Sequence, residues 1–422
     1  MGLHFSRGAN RISVIPDLTT VTTFDPHREA RPQDVGLHAD AVNKIWTAVE
    51  NLYRTGLHPG IALTVRRHGK VILDRSIGHA RGNAPSGSDD VKVLMTPQTP
   101  ICLYSASKAI TAMLMHKLVE NGLLNLDARV AEYLPAYGCN GKEHTTLRQL
   151  LSHRAGIPAM PLDQVAPEFH HDFDFVVRLL CGAKATDEHW HTQSYHAITA
   201  GYIIGEIVRR ISGKPLRQML QETFADPLGC EYFTYGIDER HRDVVAEDAF
   251  TGPNLPFPIN RIAKRALYMN FEELPVFANS PAFQSSINPA ANIYSTADES
   301  CRFYQMLLND GMWDGQQVLH PQTITSAVQP VGPMTIDRTL FAPVRFSPAF
   351  VLGEKPFGLY GRNCPRAFGH LGFMNTVCWA DPDRDLSVAL ITTGKSIAPD
   401  GIAAWLRALA TIAQQCPPTS LR

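Results

Sequence analysis

The sequence predicts an α+β protein: an α/β domain built from both ends of the chain (36–99 together with 286–422), with a mostly helical domain (100–285) inserted between them. Three observations predict it. Strand-like apolar runs lie near both ends, at 61–77 and 376–392. Segments with helical spacing fill the middle. Finally, 44% of the 422 residues are apolar, ample for a large buried core. Segregated strand and helix runs of this kind pack as helices against a sheet.

Residues 1–35 are rich in turn formers and polar side chains and predict an irregular arm. The opening Met1-Gly2-Leu3-His4-Phe5-Ser6-Arg7 lacks a secretory apolar core, and Gly2 with Ser6 fits only the loose myristoylation pattern. From Asp40 to Leu57, the apolar residues Val42, Ile45, Trp46, Val49 and Leu52 recur at helical spacing, and Pro59-Gly60 breaks the helix. Ile61 to Val65 and Val71 to Ile77 read as two strands around a polar, Gly-containing turn, a β-hairpin. Residues 82–99 form a loop. A helix starts near Ser105, with Ile110, Met113, Leu114 and Leu118 on one face and Gly122 as its stop.

Leu147 to Leu151 is a short helical piece, and 160–192 reads as irregular. Ala197 to Ile211 is an amphipathic helix stopped by Gly213 and Pro215. Residues 225–290 read as loops with short helices. Ser295 to Asn309 is helical again, capped by Ser295 or Thr296. Thr376 to Ala380 and Leu386 to Thr392 are strands joined by the turn Asp381-Pro382-Asp383-Arg384-Asp385, and Ile402 to Ile412 closes the chain as a helix.

Composition narrows the function. The net charge is −1 and the pI about 7.0, so no field is built for a polyanion and nucleic acid is not an expected partner. No apolar run reaches the ~18 residues of a membrane span. The eight cysteines are scattered without a C-x-x-C, which argues against a zinc knuckle and for reduced core thiols in a cytoplasmic protein. Neither a G-x-S-x-G elbow nor a phosphate-binding glycine loop is present, and no cofactor is expected.

Three short features carry chemistry. In Ser105-Ala106-Ser107-Lys108, residues i and i+3 share a helix face, so Lys108 can reach the Ser105 hydroxyl, which needs a base to become a nucleophile. Lys108 can be that base only if burial lowers its pKa from ~10.4 toward neutrality. Ser107 is the poorer candidate, because Lys108 at i+1 faces elsewhere. The plainer alternative is a capping serine followed by a surface lysine. In Tyr195-His196-Ala197, a tyrosine beside a cationic lysine can be partly ionised and relay protons; the alternative is an ordinary half-buried tyrosine. In Phe368-Gly369-His370-Leu371-Gly372-Phe373, the glycine pair lets a strand backbone lie close to a substrate; the alternative is a bulged edge strand with a surface histidine. The runs His170-His171-Asp172-Phe173-Asp174 and His189-Trp190-His191 lack metal-ligand spacing, so no metal is expected.

In the order Ser-x-x-Lys, Tyr, His-x-Gly, these features resemble the penicillin-binding-protein and class C β-lactamase superfamily, especially its family VIII carboxylesterases. Further segments are similar: Gly60-Ile61-Ala62-Leu63-Thr64-Val65, Gly122-Leu123-Leu124-Asn125-Leu126-Asp127, Leu150-Leu151-Ser152-His153-Arg154-Ala155-Gly156 and Ala380-Asp381-Pro382. The resemblance covers roughly residues 38–410. It implies a β-lactamase-like fold, an antiparallel sheet flanked by helices. It implies Ser105 as the acylated nucleophile, Lys108 as its base partner and Tyr195 as general base and acid. His370 would stand where β-lactamases carry the lysine of Lys-Thr-Gly, with Gly372 beside it, and the backbone N–H groups of Ser105 and Phe373 would form the oxyanion hole.

The departures point away from β-lactams. Tyr-x-Asn is Tyr195-His196-Ala197, without the amide, and Lys-Thr-Gly is His370-Leu371-Gly372, without the fixed cation. The expected reaction is therefore hydrolysis of a small carboxylic ester with a short acyl chain. The alternatives are β-lactamase, D-amino-acid peptidase, amide hydrolase or acyltransferase chemistry at the same site, or a catalytically inactive binding protein. His370 is expected to gain charge as the pH falls toward 6, raising β-lactam turnover relative to ester turnover.

Overall fold

The computed structural model describes residues 10–419 apart from 86–90, 162–171, 187–191, 258 and 268. Helix α1 (Ala41–Tyr53) forms where the spacing requires and buries Val42, Ile45, Trp46, Val49 and Leu52. An eight-stranded antiparallel sheet follows. Its first half is β1 (Thr22–Phe24), the hairpin β2 (Gly60–Arg67) and β3 (Lys70–Arg81), and the short β4 (Val93–Leu94). A two-residue strand, β5 (Ala249–Phe250), lies outside this sheet. The second half of the sheet is β6 (Val351–Leu352), β7 (Phe368–Leu371), β8 (Val377–Asp381) and β9 (Leu386–Thr392). Strand order is β1-β3-β2-β9-β8-β7-β6, with β4 on β3. The halves meet where β2 pairs with β9, from Ile61 opposite Thr392 to Arg67 opposite Leu386.

Both faces of this sheet are covered, which is why its central strands read as continuous apolar runs. All eight positions of β2 and all seven of β9 are buried. Side chains alternate between two cores, as a period of two demands. Ile61, Leu63, Val65, Val388 and Leu390 face α1 and the C-terminal helix α6 (Pro399–Gln415), meeting Trp46, Val49, Trp405 and Leu409. The intervening Ala62, Cys378 and Ala389 face the other core, which includes Cys301 and Tyr304 of helix α5 (Ala297–Leu308). These small residues let α5 lie close to the strands, and Cys301 Sγ comes within 3.2 Å of Ser387 Oγ. Thr296 caps α5 through a reciprocal bond with Glu299.

The middle of the chain holds α2 (Ser107–Glu120), α3 (Phe173–Gly182) and α4 (Thr199–Ser212). Helix α2 is not one-faced as its pattern predicts: every residue from Ser107 to His116 is buried, because it runs between the sheet side and the helical side. Helix α3 corrects the irregular reading of 160–192. Asp172 accepts a bond from the Phe175 N–H, and Val176, Val177 and Leu180 are buried. That spacing was present in the sequence but sits between polar, histidine-rich flanks. All eight cysteines are unpaired, and six are buried. No helix among the described residues is long and apolar enough to cross a membrane.

Candidate active site

Ser105 lies in a 3₁₀ turn, Tyr104–Ala106, that runs into α2. Its N–H therefore falls among the first donors of a helix, which have no acceptor within it. Tyr104 holds φ at +47°, a region bulky side chains avoid at a cost of about 1–3 kcal/mol. One turn on, Lys108 Nζ lies 2.9 Å from Ser105 Oγ and donates to the Ala290 carbonyl at 2.9 Å. Lys108 is 9% exposed, and burial lowers its pKa to about 7. It is not the surface lysine of the plainer reading. Leu150, Ile204, Phe346 and Phe350 help line the pocket beside it. Ser107 is fully buried and its Oγ accepts the Ile293 N–H at 3.0 Å, which removes it as a nucleophile.

The Ala290 carbonyl reaches Lys108 because α4 comes close. A Cβ on Gly201 would stand 2.6 Å from Ala290 Cβ and 2.7 Å from its N. Only a residue without a side chain permits that approach.

Tyr195 precedes α4. It is 8% exposed, and its ring centre is 5.1 Å from Lys108 Nζ. Burial raises its pKa, with a hydrogen bond to Ser105 acting in the opposite direction. Tyr195 is thus a neutral phenol at neutral pH, not the partly ionised group expected from its neighbourhood. Its backbone N–H donates to Asp337 Oδ1 at 3.0 Å. That carboxylate also accepts the N–H groups of Thr339 and Leu340 and is fully buried. The Tyr195 ring stacks on Phe346 (6.3 Å, 11°) and lies 4.6 Å from the ring of His153.

His370 sits on β7 opposite Cys378 of β8 and is 4% exposed, so it is not the surface histidine of the plainer reading. Its Nδ1 is 2.7 Å from the Leu371 carbonyl, which assigns the proton to Nδ1 and leaves Nε2 as a buried acceptor without a partner among the described residues. Burial first, and Lys108 second, lower its pKa to about 3. The expectation that His370 gains charge near pH 6 is therefore overturned: desolvation outweighs the ordinary basicity of imidazole.

Gly372 ends the strand against the nucleophile turn. A Cβ there would stand 2.5 Å from the Leu103 carbonyl oxygen. The chain segments carrying the Ser105 and Phe373 N–H groups are thereby brought into contact. The partly buried Phe373 ring lies 5.6 Å from Tyr104 and 4.8 Å from Phe271, an aromatic wall beside Ser105.

The structure thus brings Ser105, Lys108, Tyr195, His370, Gly372 and Phe373 together. Sequence reasoning assigned no role to His153, Asp337, Phe346 or the Ala290 carbonyl. His153 alone carried a signal, in the Leu150 to Gly156 stretch. It holds φ at +60°, and its Nδ1 accepts the His196 N–H at 3.2 Å, placing its proton on Nε2. Ala197 is buried and offers no polar contact of its own side chain. Of the histidine runs, His170, His171, His189 and His191 lie outside the described residues, while Asp172 caps α3 and Asp174 pairs with Arg209.

Comparison with known proteins decides the family. The family described as Beta-lactamase matches residues 22–412, almost the whole described chain. The chain belongs to the beta-lactamase family. Among its relatives, the Esterase/beta-lactamase LipL of Mycobacterium tuberculosis is 28% identical over 353 residues, covering 79% of this chain and 76% of LipL. A family VIII carboxylesterase of known structure is similar, with a TM-score of 0.76 and 26% identity over 90% of this chain and 99% of that one. A penicillin-binding-protein homologue from Caulobacter crescentus matches with the same TM-score, 25% identity and the same coverage. The fold of this beta-lactamase-family chain is accordingly β-lactamase-like, and its superfamily is that of serine hydrolases.

Proposed function

We propose that this chain hydrolyses small carboxylic esters through an acyl-enzyme on Ser105. The observation that carries the reading is the 2.9 Å contact between Ser105 Oγ and a lysine whose pKa burial has lowered to about 7. At neutral pH a substantial fraction of Lys108 is uncharged and can take the Ser105 proton as Oγ bonds to the carbonyl carbon. The oxyanion is met by the N–H groups of Ser105 and Phe373, each typically worth ~2.7–4 kcal/mol of transition-state stabilisation. As the C–O bond breaks, the Tyr195 phenol protonates the departing alkoxide and recovers a proton from Lys108. Water then attacks the acyl group and gives up a proton to the same relay. Ser105 leaves with a proton, and the carboxylic acid departs. No cofactor or metal takes part in this scheme.

Esters are favoured over β-lactams because His370 is uncharged and Ala197 supplies no amide. The names of two similar proteins, a family VIII carboxylesterase and the Esterase/beta-lactamase LipL, support the same reading. LipL's name also favours a weak second activity on β-lactams. Short acyl groups are favoured by the wall of Tyr104, Phe271 and Phe373. Eight unpaired cysteines support a reducing compartment, the cytoplasm.

The test is fluorophosphonate labelling with peptide mapping, alongside p-nitrophenyl acetate or butyrate and a chromogenic cephalosporin as substrates. The expected results are an adduct on Ser105 and a larger kcat/KM for the esters. An adduct on Ser107, or a cephalosporin value equal to the ester value at pH 7.5, overturns the proposal.

A further inference from the structure

Behind the nucleophile turn lies a buried charged group that the acyl-transfer scheme leaves unused. Lys395 belongs to a two-residue strand, β10 (Gly394–Lys395), that pairs in parallel with β5. It is fully buried, stands 3.1 Å from Asp248 Oδ1 and donates to the Thr392 carbonyl at 2.6 Å. The other carboxylate oxygen, Asp248 Oδ2, accepts the Tyr104 hydroxyl proton at 2.7 Å. The Lys395 ammonium also sits 4.7 Å from the centre of the Tyr104 ring. Asp248 is clamped in turn: its N–H donates to Asn279 Oδ1 at 3.0 Å, and Asn279 Nδ2 donates to the Asp248 carbonyl at 2.8 Å.

A buried ion pair is weak evidence for stability, because desolvation offsets most of its attraction. Its place in the molecule supplies a different reason for it. The chain Lys395–Asp248–Tyr104 ends on the residue immediately before Ser105, and that residue is the one held at φ +47°. A bulky side chain keeps such a conformation only where its surroundings over-determine it. The hydroxyl bond to Asp248 and the cation against the ring do so from two directions.

We propose that Lys395, Asp248 and Tyr104 form a positioning device that holds the nucleophile turn in its left-handed conformation and so aims the Ser105 hydroxyl at Lys108. The inference rests on the reading of Ser105 as the nucleophile. None of the three side chains takes part in bond making.

Tyr104→Phe tests it most gently, since it removes one oxygen and leaves the ring and the Lys395–Asp248 pair. The kcat on p-nitrophenyl acetate and the rate of fluorophosphonate labelling should fall together by about ten- to a hundredfold, as expected for a misplaced nucleophile. KM should stay within about twofold, because an interaction that acts only on the reacting geometry is lost from kcat. Circular dichroism should show a folded protein. Asp248→Asn should behave alike, and the double variant should lose no more than the worse single one, because both act through one contact. Wild-type labelling and turnover in Tyr104→Phe overturns the proposal. So does a loss of labelling that merely follows a loss of folded protein. Failure of the wild-type protein itself to form a Ser105 adduct is distinguishable from both and removes the acyl-enzyme reading as well.

Discussion

At the scale of single residues, the site runs on desolvation. Lys108 is lowered to about 7 by burial alone, and its base form is the uncharged one. Protonation therefore silences it below that pH, and kcat/KM on an ester should rise as pH increases through about 7 and level off above it. A stopped assay with p-nitrophenyl acetate from pH 5.5 to 8.5 checks this, and a flat profile would rule Lys108 out as the base. Ser105→Ala should lose activity on the order of 10⁶ while keeping its melting temperature, since only a small hydroxyl goes. Lys108→Ala and Tyr195→Phe should each be severely impaired. In the proposed scheme the two pass one proton between them, so the double variant should lose much less than the sum of the two losses in free energy. Full additivity would show that they act independently.

At the scale of elements, the distances within the candidate site are set by backbones that touch. Helix α4 approaches the Pro289-Ala290 segment closely at Gly201 and Gly205, and the Ala290 carbonyl accepts from Lys108. Gly201→Val should push that segment away and destabilise the protein by about 1–3 kcal/mol, as overpacking does. The informative part is that kcat per folded molecule should fall as well. Leu63→Ala is the contrast. Leu63 is fully buried opposite Leu390, on the sheet face away from the site. Its truncation should cost about 2–5 kcal/mol with kcat per folded molecule unchanged. Chemical denaturation of each variant, paired with active-site titration, separates the two outcomes.

At the scale of the whole molecule, substrate choice follows from which charges the fold keeps. His370, which by the resemblance would stand where β-lactamases carry a fixed cation, is an imidazole lowered to about 3 by burial, so it is neutral across the physiological range. The ratio of ester to cephalosporin kcat/KM should then be constant between pH 6 and 8, both substrates sharing the same Lys108 limb. A ratio that swings toward the cephalosporin at pH 6 would mean that His370 titrates there. The aromatic wall gives a second handle. Phe373→Ala should raise kcat/KM for p-nitrophenyl octanoate relative to acetate, read from a series of acyl chain lengths.

The groups of the candidate site were legible in the sequence wherever they depend on short spacing. Ser105 and Lys108 meet because i and i+3 share a helix face, and Gly372 announces a close backbone approach by lacking a side chain. Long periodic elements were legible for the same local reason: α4 and α5 appear within two residues of their expected bounds. Helix α3 had its signal in Val176, Val177 and Leu180 and was passed over between polar flanks. What the tertiary structure decided was everything that depends on distant neighbours. Asp337 holds Tyr195 across 142 residues of chain, and Asp248 reaches Tyr104 across 144. The ionisation of Lys108, Tyr195 and His370 was decided there too. Each is shifted chiefly by burial, and burial is a property of the packed surroundings that no stretch of sequence contains.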